Sequence, residues 1–135
     1  MFIQVSLLLN LRVKGKGCRE IFNLNENHNS EMTNMTLEEA IKARHSVRNY
    51  KHQPLPEEII GALRKKIEEC NQLGNLHIQL VTDERKAFSG IMSYGVFSGV
   101  ENYLIMAGRK AADLDERIGY YGEQIVLLAQ TLGLN

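Results

Sequence analysis

The sequence predicts a layered domain of the α/β or α+β class, in which helices pack on buried strands. Two segments have the composition of strands: "LHIQLVT" (76–82) alternates apolar and polar residues, and "NYLIMAG" (102–108) is almost wholly apolar. Other segments carry apolar residues at helical spacing. The predicted order is therefore helix, helix, strand, connection, strand, helix.

The first predicted helix begins with a capping box. Thr36 is followed three residues later by Glu39, the pairing in which each side chain bonds to the backbone of the other residue. The predicted apolar face consists of Leu37, Ala40 and Ile41. This helix is expected to end near residues 44–46, because the segment "NYKHQPLP" is extended before its prolines.

The other two predicted helices also have start or stop signals. Pro56 suits the first turn of the second helix, and Gly74 is expected to close it. The inward residues of the second helix are Ile59, Ile60, Leu63, Ile67 and Cys70. The last helix lies within residues 113–135 and is expected to stop at Gly133. Its inward residues are Ile118, Tyr121, Gly122, Ile125, Leu128, Ala129 and Leu132.

Composition and charge limit the classes to which this protein can belong. The chain has 135 residues, a formal net charge of zero and 44% hydrophobic residues, which suits one domain with a modest core. The balanced charge argues against a nucleic-acid partner, and no apolar run approaches the roughly 20 residues that span a bilayer. Cys18 and Cys70 have no C-x-x-C spacing, and the four histidines have no ligand spacing. We therefore expect a cytoplasmic protein without a disulfide framework or a metal site.

The first 34 residues differ from the rest of the chain. The apolar run "MFIQVSLLLNL" precedes the basic "RVKGKGCR", the reverse of the order in a signal peptide. The Asn-rich "NLNENHNSEMTN" that follows is typical of a loop or linker. Residues 1–34 are thus predicted to be a leader or disordered extension, and residues 35–135 the domain. The alternative is that residues 2–9 form an added strand at a sheet edge.

An R-x-S-x-R pattern follows the first helix. In an extended segment, Arg44, Ser46 and Arg48 point to the same side. Two guanidinium forks and a hydroxyl on one side would form a small phosphate pocket. The alternative is a solvated basic turn.

Three longer segments strengthen the hypothesis of a phosphate pocket. These are "LEEAIKARHSVRNYKHQPLPEEIIGALRKKIEEC", "NLHIQLVTDERKAF" and "GYYGEQIVLLAQTLGLN". In this order they resemble the flavin-dependent nitroreductase family over residues 35–135. The resemblance implies an α+β fold, a three-layer α-β-α sandwich with a mixed central sheet. It also implies a sandwich that is incomplete at the C-terminus, so the chain is expected to be a truncated, N-terminal part of such a domain.

The resemblance further implies bound FMN. Arg44, Ser46 and Arg48 would hold its phosphate, with His45 contributing through its backbone or its ring. The family also places an asparagine near the flavin ring. Two residues compete for that position, Asn71 if the segment is aligned without a gap and Asn75 if the loop is shifted. Either asparagine could instead be an ordinary turn residue.

The implied reaction is a two-electron ping-pong transfer from NAD(P)H, as co-substrate, to a small-molecule acceptor such as a nitroaromatic or a quinone. The flavin carries that chemistry, so no catalytic side chain is nominated. Glu123 on the long helix is interpreted as a solvated or interface charge.

The resemblance implies a homodimer through the long helix near residues 113–132. Gly119 and Gly122 would let a second helix approach Tyr120 and Tyr121, although the tyrosines could also fill the core of their own domain. The alternative function is a non-catalytic fragment that acts as an interaction module.

Overall fold

The computed structural model describes residues 2–5, 35–45, 49–50, 54–84, 86 and 99–134. The elements in these ranges are β1 (Phe2–Val5), α1 (Leu37–Ala43), α2 (Glu57–Gly74), β2 (Gln79–Val81), β3 (Tyr103–Arg109) and α3 (Leu114–Thr131). From α1 onward this order is the one that the sequence predicts.

The described strands form one sheet in the order β1-β3-β2, and both pairings are antiparallel. Strand β1 pairs along the outer edge of β3, from Phe2 opposite Arg109 to Val5 opposite Met106. Phe2–Val5 thus forms an edge strand, and the rest of the alternative over residues 2–9 lies outside the described residues. The division of the chain at residue 34, the third layer and the mixed sheet stay predictions.

Strand β2 is shorter than the predicted 76–82, but its pairing with β3 begins earlier. Leu76 bridges to Gly108, and the backbone N–H of His77 donates to the carbonyl of Ala107 at 2.7 Å. The register then continues to Val81 opposite Tyr103. The central strand β3 is buried on both faces, as its apolar sequence predicts.

Helices α2 and α3 cover the face of β3 that carries Leu104 and Met106, and together they form the core. All five predicted inward residues of α2 are buried. In α3, Ile118, Gly122, Ile125 and Ala129 are buried. The other predicted inward residues of α3, Tyr121, Leu128 and Leu132, are partly buried against the same cluster. The helical spacing in the sequence therefore identified the core.

Helix α1 has the predicted capping box. The backbone N–H of Thr36 donates to Glu39 Oε2 at 2.8 Å, and the N–H of Glu39 donates to Thr36 Oγ1 at 3.2 Å. The predicted apolar face of α1 is wrong in part, because Ala40 is buried while Leu37 and Ile41 are exposed. Ala40 is the buried residue of this two-turn helix, and its larger apolar side chains lie outside the core.

The end of α2 differs from the prediction that Gly74 closes it. Asn75 adopts the left-handed conformation that terminates the helix, with φ 47° and ψ 50°. Gly74 is instead the last helical residue, and a Cβ there would lie 2.6 Å from the ring of Tyr121. Gly74 is thus required for close packing against α3. Gly133 has the positive φ of 78° expected of a helix stop.

Arg117 joins the end of α2 to the start of α3. Its Nη1 donates to the carbonyl of Gly74 at 2.7 Å, and its Nη2 pairs with Asp113 at 3.1 Å. A cation at the carboxyl end of a helix offsets the partial negative charge of the unpaired carbonyls. This contact fixes the relative positions of the two core helices.

Two glycines of α3 provide a matched test of the packing. Gly119 is exposed, and a Cβ there would meet open space, whereas a Cβ at Gly122 would lie 2.9 Å from Cε and Sδ of Met106. We expect Gly119→Ala to raise the free energy of unfolding by about 0.5–1 kcal/mol through helix propensity. We expect Gly122→Ala to be at least about 1 kcal/mol less stable than Gly119→Ala, because it overpacks the helix–strand interface. Urea denaturation measures both, and equal stabilisation would contradict the packing described.

Candidate functional site

Arg44 is the residue at which the chain leaves α1. Its backbone N–H donates to the carbonyl of Ala40 at 2.9 Å, and its φ of −66° and ψ of 133° are extended. The R-x-S-x-R segment therefore begins in the extended conformation that would place alternate side chains on one side. Ser46 and Arg48, the other two predicted phosphate ligands, lie outside the described residues.

The Arg44 side chain contacts α3. Its Nε lies 3.6 Å from Oε1 of Glu123, and the two side chains are 41% and 51% exposed. This ion pair is long and solvated, so it stabilises the fold by little. The closest approach is at Nε, which is the inner nitrogen of the guanidinium group.

The ring of His45 contacts the last residue of α1. Its Nδ1 lies 3.2 Å from the carbonyl oxygen of Ala43, which is only an acceptor, so Nδ1 carries a proton in this contact. In the neutral ring, Nε2 is then an acceptor and cannot donate to a phosphate. The backbone N–H of His45, in contrast, is always a donor.

Gly99 lies against the backbone of Tyr50, which follows the R-x-S-x-R pattern. Gly99 has a φ of 75°, and a Cβ at this residue would overlap the carbonyl oxygen of Tyr50. The backbone at Tyr50 thus lies directly against the chain that enters β3.

Asn71 binds the backbone at the start of β2. Its Nδ2 donates to the carbonyl of Ile78 at 2.9 Å, and the N–H of Ile78 donates to its Oδ1 at 2.6 Å. Since His77 bonds to Ala107, and Gln79 lies opposite Ile105, the backbone groups of Ile78 point to the opposite edge of the strand. Asn71 thus takes the place of a neighbouring strand at this point. One amide hydrogen and further acceptor capacity remain for another contact.

Asn75, the other candidate, has a different role in the fold. It is exposed, and its backbone N–H donates to the carbonyl of Asn71 in the left-handed cap of α2. Asparagine tolerates this conformation better than most residues. The left-handed cap explains why an asparagine stands at this position, so no ligand is needed to explain it.

The structure brings the two groups of candidate residues to different faces of α3. Arg44 contacts α3 at Glu123, whereas the end of α2 contacts it at Arg117. Six residues separate these positions, which is about 9 Å along the helix and about 120° around it.

A groove of about 650 Å³ runs between α2 and β2 beside Asn71. Its polar wall includes Arg64, Glu68, Gln72, His77 and Gln79, and its apolar wall includes Ile67 and Leu80. Asn71 lines this groove but Asn75 does not. The groove is therefore a concave surface of mixed polarity that Asn71 alone, of the two candidates, can reach.

Two buried groups are held in their neutral forms. Burial raises the pKa of the Cys70 thiol, while Lys66 lowers it and Glu69 raises it by smaller amounts. Burial, and then the Glu84 carboxylate, raise the pKa of the Tyr103 phenol. Neither group has the depressed pKa of a nucleophile or of a proton donor near neutral pH.

Neither a metal cluster nor a membrane-spanning helix occurs within the described ranges. Within them, no group of three His, Cys, Asp or Glu side chains is placed to hold a metal ion. Of the helices in these ranges, none combines the length and the apolar character that crossing a bilayer requires.

Sequence analysis missed two of these contacts. The pairing of Glu123 with Arg44 joins residues 79 positions apart, and nothing in the local pattern of either helix indicates it. The side-chain bonds of Asn71 to Ile78 span seven residues. The signal available in the sequence was an asparagine that lies just before a predicted helix stop and a predicted strand.

Comparison with known protein families gives one match. Residues 36–135 match the family described as "Putative TM nitroreductase". No curated protein and no solved structure matches the chain. The match covers the described helices and strands from α1 to α3, and it includes all the candidate site residues.

The role of Asn71 in the fold can be measured. Asn71→Ala leaves both outward backbone groups of Ile78 without partners, so we expect the free energy of unfolding to fall by about 1–3 kcal/mol. Gln72→Ala is the matched control, because among the described residues Gln72 bonds to the exposed Glu68. This control is expected to change stability by less than about 0.5 kcal/mol. Similar losses in both variants, measured by urea denaturation, would show that the contact with Ile78 is unimportant.

Cys70 is expected to react slowly with thiol reagents. In a Cys18→Ser background, DTNB should modify the folded protein at least about tenfold more slowly than free cysteine, because the thiol is buried and neutral. Urea should abolish the difference. Since folding raises this pKa, the associated stability is present below the thiol titration range and is lost as the pH rises through it. Rapid labelling of the folded protein at neutral pH would contradict this assignment.

Proposed function

Because the chain belongs to this nitroreductase family, whose members are typically flavin-dependent oxidoreductases, we propose that it binds FMN at the exit of α1. The observation that carries the proposal is the position of Arg44. An exposed guanidinium group on a residue with extended backbone, the first of the R-x-S-x-R pattern, is suited to a phosphate monoester.

In this proposal Arg44, Ser46 and Arg48 hold the phosphate. Arg44 contributes a charged, planar donor group that the contact with α3 already places at the surface. His45 contributes through its backbone N–H, because its ring Nδ1 is engaged with the carbonyl of Ala43. The charge of two arginines would balance the nearly two negative charges of the phosphate.

Of the two asparagines, we propose that Asn71 faces the flavin ring. Its amide lines the groove between α2 and β2, and it retains one hydrogen beyond the bonds to Ile78. Asn75 is accounted for by its left-handed cap. The structural role of Asn71 would then fix the orientation of the amide that meets the ring.

Bound FMN supplies two-electron redox chemistry, here between NAD(P)H and a small nitroaromatic or quinone acceptor. Arg44, Ser46, Arg48 and Asn71 would hold and orient the flavin. We propose no side-chain acid or base, since neither Cys70 nor Tyr103 has a pKa suited to proton transfer near neutral pH.

We also propose a homodimer through α3. Tyr120 is 67% exposed, and Gly119 beside it has open space around its Cα. Gly122 does not take part, because it packs on Met106 within its own chain. Tyr121 lies inward against Gly74, so only one of the two tyrosines remains for a partner.

The second candidate function is a non-catalytic interaction module. The exposed apolar side chains Leu37, Ile41, Leu73 and Tyr120 favour it. A protein that is oligomeric but binds no flavin would support this alternative over the first.

The proposal predicts a specific defect in Arg44→Ala. Loss of a charged hydrogen bond to phosphate should weaken FMN binding by about tenfold or more, and should leave binding of riboflavin, which lacks the phosphate, unchanged. Flavin fluorescence titration measures both ligands. Lys42→Ala is the control, because Lys42 is an exposed cation on the same helix, about 200° around from Arg44.

Two results would contradict the proposal. One is that the wild-type chain binds no FMN. The other is that Arg44→Ala and Lys42→Ala weaken FMN binding equally, which would indicate a general charge effect.

A further inference from the structure

Glu123 is the nearest charged partner of Arg44 among the described residues. It lies on α3, whereas the R-x-S-x-R pattern follows α1, so the fold places a carboxylate beside the first arginine of that pattern. The contact distance of 3.6 Å exceeds that of a good charge-assisted hydrogen bond. Both side chains are substantially exposed, so solvent accounts for much of their charge stabilisation.

We propose that Glu123 competes with the phosphate for Arg44 and thereby limits affinity for anionic ligands. This inference rests on the proposed phosphate site. The carboxylate neutralises part of the charge of Arg44 when no ligand is bound. It then repels a ligand that carries nearly two negative charges at the same guanidinium group.

The alternative role for Glu123 is to position Arg44 for the ligand. Positioning requires a short, directional bond, of the kind that a carboxylate forms with a guanidinium fork at about 2.7–2.9 Å. The long contact at Nε in this structure lacks that geometry. Competition is therefore the effect that the distance favours.

The test is the isosteric variant Glu123→Gln, which removes the charge and keeps the size of the side chain. We expect FMN to bind about two- to tenfold more tightly, with no change for riboflavin. The gain should shrink as salt is raised from low to physiological concentration. In an Arg44→Ala background the gain should be reduced, because the competing pair is then absent.

Glu116→Gln is the matched control. Glu116 is exposed on α3 and lies seven residues before Glu123, which places it on nearly the same face of the helix but about 10 Å away. It removes the same charge without removing a contact to Arg44. An equal gain in Glu116→Gln would overturn the proposal, because it would show a general effect of net charge.

The outcomes separate this inference from the proposed function. If the wild-type chain binds FMN and Glu123→Gln binds it equally or more weakly, the competing role is wrong and the flavin site stands. If Glu123→Gln binds FMN where the wild-type chain binds little, the competing role is supported. If neither chain binds FMN or riboflavin, the proposed function fails and this inference fails with it.

Discussion

The packing of α2 and α3 on one face of β3 is the constraint on which the other features depend. Leu104 and Met106 of β3 are fully buried beneath the two helices, and burial of such apolar side chains is the dominant favourable term in folding. Close approach requires glycine where Gly122 meets Met106 and where Gly74 meets Tyr121. Once α3 is fixed in this way, its outer residues determine what α1 and the end of α2 can contact.

The edge of the sheet is determined by one side chain. Asn71 reaches from the last turn of α2 to both outward backbone groups of Ile78. Backbone groups at a strand edge need a partner or water, and this amide provides the partner within the domain. The same bonds hold the amide at the wall of the groove between α2 and β2. A structural role and a proposed ligand role therefore coincide, because the residue that defines the edge also borders the concave surface beside it.

The arginines at the ends of α2 and α1 have different kinds of partner. Arg117 is bonded to the carbonyls at the end of α2 and is part of the scaffold. Arg44 lies at the end of α1 with a long contact to Glu123 and substantial exposure. A guanidinium group that is bonded to backbone carbonyls is already committed to the fold, whereas one in a solvated ion pair can exchange its partner for a ligand. This difference in bonding is why the phosphate proposal concerns Arg44.

The sequence by itself determined the order of elements from α1 to α3, the capping box at Thr36 and the buried residues of α2, because these follow from local periodicity and capping. It also determined the family, through segments whose order is more specific than any one of them. The tertiary structure alone decided that Leu37 and Ile41 are exposed, that Asn75 rather than Gly74 ends α2, and that Tyr121 lies inward while Tyr120 lies outward. It also decided that Glu123 meets Arg44 and that Asn71 binds Ile78. These features depend on which helix faces meet, and that is set by packing between segments that are distant in the chain.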